Sequence, residues 1–470
     1  MIKGKTKIEL TNVHTGEVEV IEKENMVTNA LQYIFNPVGY IKAGSVMYGS
    51  DYVNYYATLT GGLLLLDKAV TENADNIFLD TSVGVTGCAV FDKQNTSDQT
   101  LRGSYNATET EIDVVNRTIK YVYDFDTAEA NGTIACVALT HAYGGYSNRG
   151  CVEEPVREEY PYFMSIGSGT LRLSSSSAGI SAYDRNLSYT TYGANYKFIF
   201  LIDAAKDMVY YFSVDSTTSI TIRGYRANIN TVSLFDTPST GRTLLFEKTI
   251  VFSTAISQQY FSYNYDEETE KLYVVSGANV NISNGGAFTI TEIDVANNYA
   301  VKQYSMTNKT GVSLRMFFSR DNTMCYDGYI YLMPYSAPYY IYREEIGNAA
   351  NVQKIDVAVI RQSWPIFAKD KRLYFANPTS YSPSWGLYIV ETDSFTLKYP
   401  EAKYLYDSSG RQFVPVKGVP MTYFMSCGTS DGVFGIRTDY LATINNLQSA
   451  VVKSADKTMK VTYTLTEVAE

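Results

Sequence analysis

Three features of this 470-residue chain predict an all-β fold. Its aromatic content is led by tyrosine, with 42 Tyr against 21 Phe and 2 Trp, and such rings suit a pleated surface whose rim is wet, because the ring packs while the hydroxyl finds a partner. Apolar residues recur at a period of two in short runs. Between the runs stand Gly, Asn, Asp and Thr, which are turn residues rather than helix formers. At a prior of ~150 residues per domain the length allows about three units. Hydrophobic residues make up 45% of the chain, enough for a packed core.

The first thirty residues read as a hairpin. Lys7-Ile8-Glu9-Leu10-Thr11-Asn12-Val13 alternates, His14-Thr15-Gly16-Glu17 supplies turn chemistry, and Val18-Glu19-Val20-Ile21-Glu22 alternates again. Ala30, Leu31, Ile34 and Phe35 then fall at helical spacing, with Thr28 or Asn29 as the cap and Asn36-Pro37 as the stop, so one short helix is expected. Strands follow at Ile77–Leu79, Glu111–Val115, Thr118–Phe125 and Gly132–His141. Together these predict a small β-sandwich-like anchor over residues 1–150, bounded by the Gly144-Gly145-Tyr146-Ser147-Asn148-Arg149-Gly150 segment.

Beyond that boundary a polar turn followed by an aromatic-aliphatic strand recurs. Copies are Lys206–Phe212, Glu270–Val275, Asp327–Leu332 and Asp370–Phe375, with Asp431–Ile436 as a candidate fifth. Aligned on Tyr210, Tyr273, Tyr331, Tyr374 and Phe434, they lie about 43 to 63 residues apart, which fits four-stranded units with loop insertions. A second signature trails several of them, at Thr289–Val295, Gln353–Val357 and Gly386–Thr392. The reading is a β-propeller-like domain of five or six blades over residues 151–440, with a large irregular β-sandwich as the alternative. In residues 441–470, Met459–Thr466 alternates cleanly, and a lone strand needs a sheet. It is expected to return to the N-terminal unit, which makes the propeller an insertion between the two chain ends.

Composition narrows the function. Lys plus Arg is 39 against 49 Asp plus Glu, a formal charge of -10, and no basic run offsets it, so nucleic acid is excluded as a partner. The start MIKGKTKIEL has no apolar stretch of the signal-peptide kind, and the longest aliphatic run is Leu63–Leu66. Synthesis in a cytoplasm without membrane insertion is expected. Cys88, Cys136, Cys151, Cys325 and Cys427 show no metal-ligand or bridge spacing and read as buried reduced thiols.

Little material for catalysis is visible. Two histidines, His14 and His141, leave a His-based triad or metal site without components, and no nucleotide or nucleophile-elbow motif occurs, so neither cofactor nor metal is expected. Glycosidases need only two carboxylates at a set separation. Candidate acids are Glu153-Glu154, Glu158-Glu159, Asp266-Glu267-Glu268 and Glu344-Glu345, yet nothing singles out a pair, and Asp407-Ser408-Ser409-Gly410-Arg411 lacks the register of a sialidase Asp-box. The chain is therefore read as a non-enzyme. Recognition asks for less, namely aromatic faces held by a restrained backbone among short polar side chains. Trp364 and Trp385 are the only tryptophans; Trp385 shares a proline-containing loop with Tyr381, and Tyr335, Tyr339 and Tyr340 stand around Pro334 and Pro338. These six are the candidate ligand-binding residues, with packing of a blade face as the competing account.

Two stretches near the N-terminus, Gly4–Glu17 and Glu24–Leu31, with Ala130–Ile134, Ala138–Thr140 and Lys453–Tyr463, resemble tail-associated structural proteins of tailed bacteriophages infecting gut Firmicutes. The resemblance covers roughly residues 1–150 and the last thirty. It implies a virion component of the tail tip, baseplate or fibre, with the chain ends as attachment module and the middle as a specialised module. Other tail proteins and a bacterial surface polysaccharide or protein receptor are the implied partners, and a homo-oligomer the implied state. Host-glycan recognition is the expected role; a glycan-degrading tail enzyme and a purely architectural baseplate subunit are the alternatives.

Overall fold

A strand with one apolar face needs neighbours on both edges, and Ile2–Asn12 finds them at opposite ends of the chain. It pairs antiparallel with Val18–Val27 on one side and with Lys457–Glu467 on the other, so that Ile8 lies between Ile21 and Val461. The expected hairpin is present, and the last strand does return to the first. The computed structural model describes residues 1–31, 60–77, 79–80, 82–96, 100–140, 162–165, 198–203, 205–226, 243–258, 260–315, 323–334, 340–355, 364–377, 386–398, 412–417, 423–427, 432–437 and 440–468. Of the expected helix, residues 29–31 are helical, and the Thr28 hydroxyl accepts the Ala30 amide at 3.3 Å; the remainder lies outside the described residues.

From this central trio the sheet runs through Thr118–Phe125 to Ser104–Tyr105 on one flank. On the other it runs through Thr443–Lys453, Gly132–Thr140 and Gly62–Leu66 to Val85–Val90. Its two ends then meet: the Cys88 amide donates to the Leu101 carbonyl at 2.8 Å, and the Gly103 amide donates to the Cys88 carbonyl at 2.9 Å. Gly103 permits that approach, since a Cβ there would sit 2.5 Å from the Phe125 ring. The sandwich-like anchor is thus one sheet wrapped into a nearly closed barrel, which removes most exposed edges. Ile8, Leu10, Leu65, Ile119, Tyr121, Tyr123, Val137, Val461 and Tyr463 fill it. Tyrosine hydroxyls inside are satisfied, Tyr121 with Thr60 at 2.9 Å and Tyr123 on the Gly61 carbonyl at 2.9 Å.

Among the described residues the middle of the chain forms five blades of a β-propeller. Blade one is Phe198–Asp203, Met208–Ser216, Ser219–Arg226 and Leu244–Val251. Blade two is Phe261–Asp266, Lys271–Gly277, Ala287–Asp294 and Ala300–Thr307. Blade three is Met324–Tyr326, Tyr329–Pro334, Ile341–Glu345 and Asn348–Ile355, and blade four is Trp364–Lys369, Arg372–Asn377, Gly386–Glu391 and Leu397–Lys398. Blade five joins Gln412–Lys417, Tyr423–Cys427 and Gly432–Arg437 to Tyr162–Ser165, a strand that precedes blade one in sequence. That borrowed outer strand closes the ring. The first strands of all five blades are neighbours around it, and those of blades one and five run parallel, with Ile202 opposite Val416.

Second strands are apolar on both faces, as in Val209–Val214 and Leu272–Ser276, because each blade is covered by its two neighbours. Rings fill the gap between blades one and two, where Phe212 meets Tyr263 edge-on at 4.7 Å and Phe198 meets Phe261 at 5.3 Å. Tyr210, Tyr273, Tyr331 and Tyr374 all sit on second strands. Phe434 does not: it lies on the third strand of blade five, so its alignment with the repeat was off by one strand. Ile202, Val209, Tyr211 and Tyr225 of blade one belong to the same continuous apolar cluster as Tyr440 and Ala442 of the barrel, which seats the propeller on its mount. Cys88, Cys136 and Cys325 are buried, and burial pushes the Cys136 thiol up to about 12.

Because the end strands are one ladder, core truncations at either end are expected to cost the same kind of energy. Ile8→Ala and Leu465→Ala should each destabilise by about 2–5 kcal/mol in urea unfolding. A near-zero effect of Leu465→Ala would show that the tail is dispensable to the barrel.

Candidate functional site

A propeller offers two mouths, and strand polarity defines them. The first strands end at Asp203, Asp266, Tyr326, Lys369 and Lys417; this is the exit face, and the opposite one, where those strands begin, is the entry face.

The exit face is stoppered by the blade-two turn. Glu267 pairs with Lys369 and Glu270 with Lys417, while one Glu268 oxygen accepts the Tyr326 hydroxyl at 2.8 Å and the Asp370 amide at 2.7 Å. Blades four and five do not adjoin blade two in the ring, so this turn reaches across the axis. Asp266 shapes it from within, accepting the Glu268 amide at 3.0 Å and the Thr269 hydroxyl at 2.7 Å. Glu270 completes the bend with φ at 56°. Burial pushes the Asp266 and Glu267 carboxyls upward, and the Lys369 ammonium opposes that shift at Glu267. The acids singled out in the sequence as an adjacent run are therefore wired into a structural plug.

The other acids divide. Glu345 accepts the Asn348 and Asn351 amides at 3.2 and 3.1 Å, whereas Glu344 on the same strand is fully buried. Glu153, Glu154, Glu158 and Glu159 lie outside the described residues. His14 sits in the hairpin turn, its amide on Asn12 Oδ1 at 2.9 Å, and His141 lies outside the described residues. Among the described residues no group of three or more His, Cys, Asp or Glu side chains could hold a metal ion. Among them, too, no helix is long and apolar enough to cross a membrane.

Of the aromatic candidates, Trp364 and Tyr340 fall within the described residues. Trp364 opens the first strand of blade four and pairs with Ala376. Tyr381 and Trp385 lie between Asn377 and Gly386, the paired ends of the next two strands, and are outside the described residues. Tyr335 and Tyr339, between Pro334 and Ile341 of blade three, are outside them as well. Tyr340, next to Ile341, is half-buried against the core between blades two and three, with the Lys354 ammonium 3.4 Å from its ring centroid. Neutral polar pairs brace the first strands beneath. Ser262 and Thr323 share a hydrogen bond at 2.6 Å, and the Asn264 side chain bonds both the amide and the carbonyl of Cys325 at 2.9 and 2.8 Å. Sequence reasoning missed the plug, whose one signal was an acidic turn in blade two matched by lysines closing the first strands of blades four and five.

No family model matches the chain, and no curated protein is similar to it. Solved structures that resemble it include the β-propeller domain of the Trilobed protease from Pyrococcus furiosus, at 10% identity over 66% of this chain and 74% of that one, with a TM-score of 0.26. A family 117 glycoside hydrolase of Zobellia galactanivorans aligns at 8% identity over 67% and 94%, with a TM-score of 0.30. A GH43 glycoside hydrolase aligns at 9% identity over 51% and 47%, with a TM-score of 0.27, so the chain spans about half the length of that enzyme. The expectation that this chain is not an enzyme is withdrawn. Glycoside hydrolases stand among the structures it resembles, and a scarcity of histidine never excluded two-carboxylate chemistry.

The plug has a measurable signature. A double-mutant cycle on Glu267 and Lys369, both largely buried, should give a coupling of about 1–3 kcal/mol, and one on the more exposed Glu270 and Lys417 less than about 1 kcal/mol. Zero coupling in both would mean that the turn does not tie the blades.

Proposed function

We propose that this chain is a tail-associated virion protein of a tailed bacteriophage infecting gut Firmicutes, and that its propeller recognises host-surface glycan through the entry face. The barrel is its attachment module, binding other tail proteins within a symmetric oligomer. The chain is made in the host cytoplasm and resides in the tail.

The observation that carries this reading is that both chain ends form one barrel with the propeller inserted between them. The segments that resemble tail proteins, Gly4–Glu17, Ala130–Ile134 and Lys453–Tyr463, are strands and turns of that barrel. A mount shared within a group and a head that differs is what attachment to varied hosts asks for. The exit face is tied up by the blade-two turn, and the candidate ligand-binding residues of this reading are Trp364, Trp385, Tyr381, Tyr335, Tyr339 and Tyr340. Sugar rings stack on such side chains, and short neutral side chains such as Ser262, Thr323 and Asn264 brace the strands beneath.

The test is binding of the full chain to purified host surface polysaccharide. Trp385→Ala and Tyr381→Ala should each weaken binding about tenfold, ~1.4 kcal/mol, and reduce adsorption while virions still assemble. Failed assembly with unchanged polysaccharide affinity would support the architectural alternative. Reducing ends released in the same assay would show that the face also cleaves what it binds.

A further inference from the structure

We infer that Glu344 is a protonation lock between blades two and three: while its carboxyl is neutral the two blades close on it, and its ionisation loosens their junction. This goes beyond the recognition reading and does not depend on it.

The residue lies in Ile341–Glu345, the third strand of blade three, opposite Ile330. Period two puts Glu344 on the side of Tyr342, which packs into the cluster of Tyr273, Val275, Ile290, Met306 and Leu332 between the two blades. Its exposure is 0%, and neither carboxyl oxygen has a hydrogen-bond partner among the described residues. A carboxylate stranded in such a place carries a desolvation cost that a neutral acid avoids. Burial accordingly pushes the carboxyl up to about 7, with nearby Lys309 pulling the other way.

Other charges of the junction are engaged elsewhere. Glu292 pairs with Lys271 at 2.8 Å and accepts the Tyr304 hydroxyl at 3.3 Å; Lys302 lies over the Tyr304 ring at 4.7 Å, and Lys354 over Tyr340. Tyr273 and Cys325 are held neutral by burial. On the far side of the same strand, Arg343 stacks on Tyr329 and Phe395 at 4.3 and 4.5 Å, and Glu345 bonds its two asparagines. None of them turns to Glu344 to neutralise it.

The sign follows from linkage. An unfolded Glu ionises near 4.5, so below that pH both states hold the proton. Between there and about 7 only the folded state keeps it, and stability falls as pH rises; above about 7 the full penalty remains.

Urea unfolding of the full chain at about pH 5 and about pH 8 tests the lock, with Glu344→Gln as the neutral isostere and Glu344→Met as an apolar replacement. From the lower to the higher pH, the unfolding constant of the wild type should rise on the order of 50-fold relative to either variant. Hydrogen exchange, corrected for intrinsic rates, should show Ala300–Thr307 and Ile341–Glu345 losing protection over that range in the wild type alone. Parallel pH profiles of the wild type and both variants would overturn the inference, as would equal exchange in all three.

Discussion

The ladder between Ile2–Asn12 and Lys457–Glu467 is the constraint on which the rest depends. It joins eleven residue pairs from opposite ends of the chain and so turns everything between them into one long closed loop. Closing a loop costs entropy that grows only slowly with its length, so a large insertion between the two strands is thermodynamically tolerable. Backbone hydrogen bonds and the burial of Ile8, Leu10, Val461 and Leu465 offset that cost. In return, the inserted propeller is held from both sides by one rigid sheet.

Closure is used a second time inside the insertion. The fifth blade would lack an outer strand if the chain simply ran on, and Tyr162–Ser165, reaching back from before blade one, supplies it. A ring sealed by so short a strand gains from additional ties. The blade-two turn provides them across the axis, with Glu267, Glu268 and Glu270 reaching blades three, four and five. Tyrosine has a physical place in this design. In second strands it fills the space between blades, and in the barrel its hydroxyl meets a buried threonine or carbonyl that a phenylalanine would leave unbonded.

The same arrangement gives the two propeller faces different characters. Acid–base pairs occupy the exit face and are consumed in holding the ring together. Among the first strands of blades two and three, the polar groups Ser262, Asn264 and Thr323 are neutral and bonded between strands.

Much of this was legible in the chain. Period-two runs around Ile8, Tyr121 and Val461 identified strands with one buried face, the recurrence of Tyr210, Tyr273, Tyr331 and Tyr374 identified a repeated blade, and Asn and Gly punctuation identified the turns; all of these are local, fixed by neighbours a few residues apart. Tertiary structure alone decided that a strand at residue 162 completes a blade ending near 437, and that Phe434 belongs to a third strand. It also decided that Lys369 and Lys417 answer an acidic turn about a hundred and about a hundred and fifty residues earlier, and that Glu344 is buried while Glu345 is not. Each of these depends on which distant backbone edges meet and on how much water the meeting excludes, and periodicity carries no information on either.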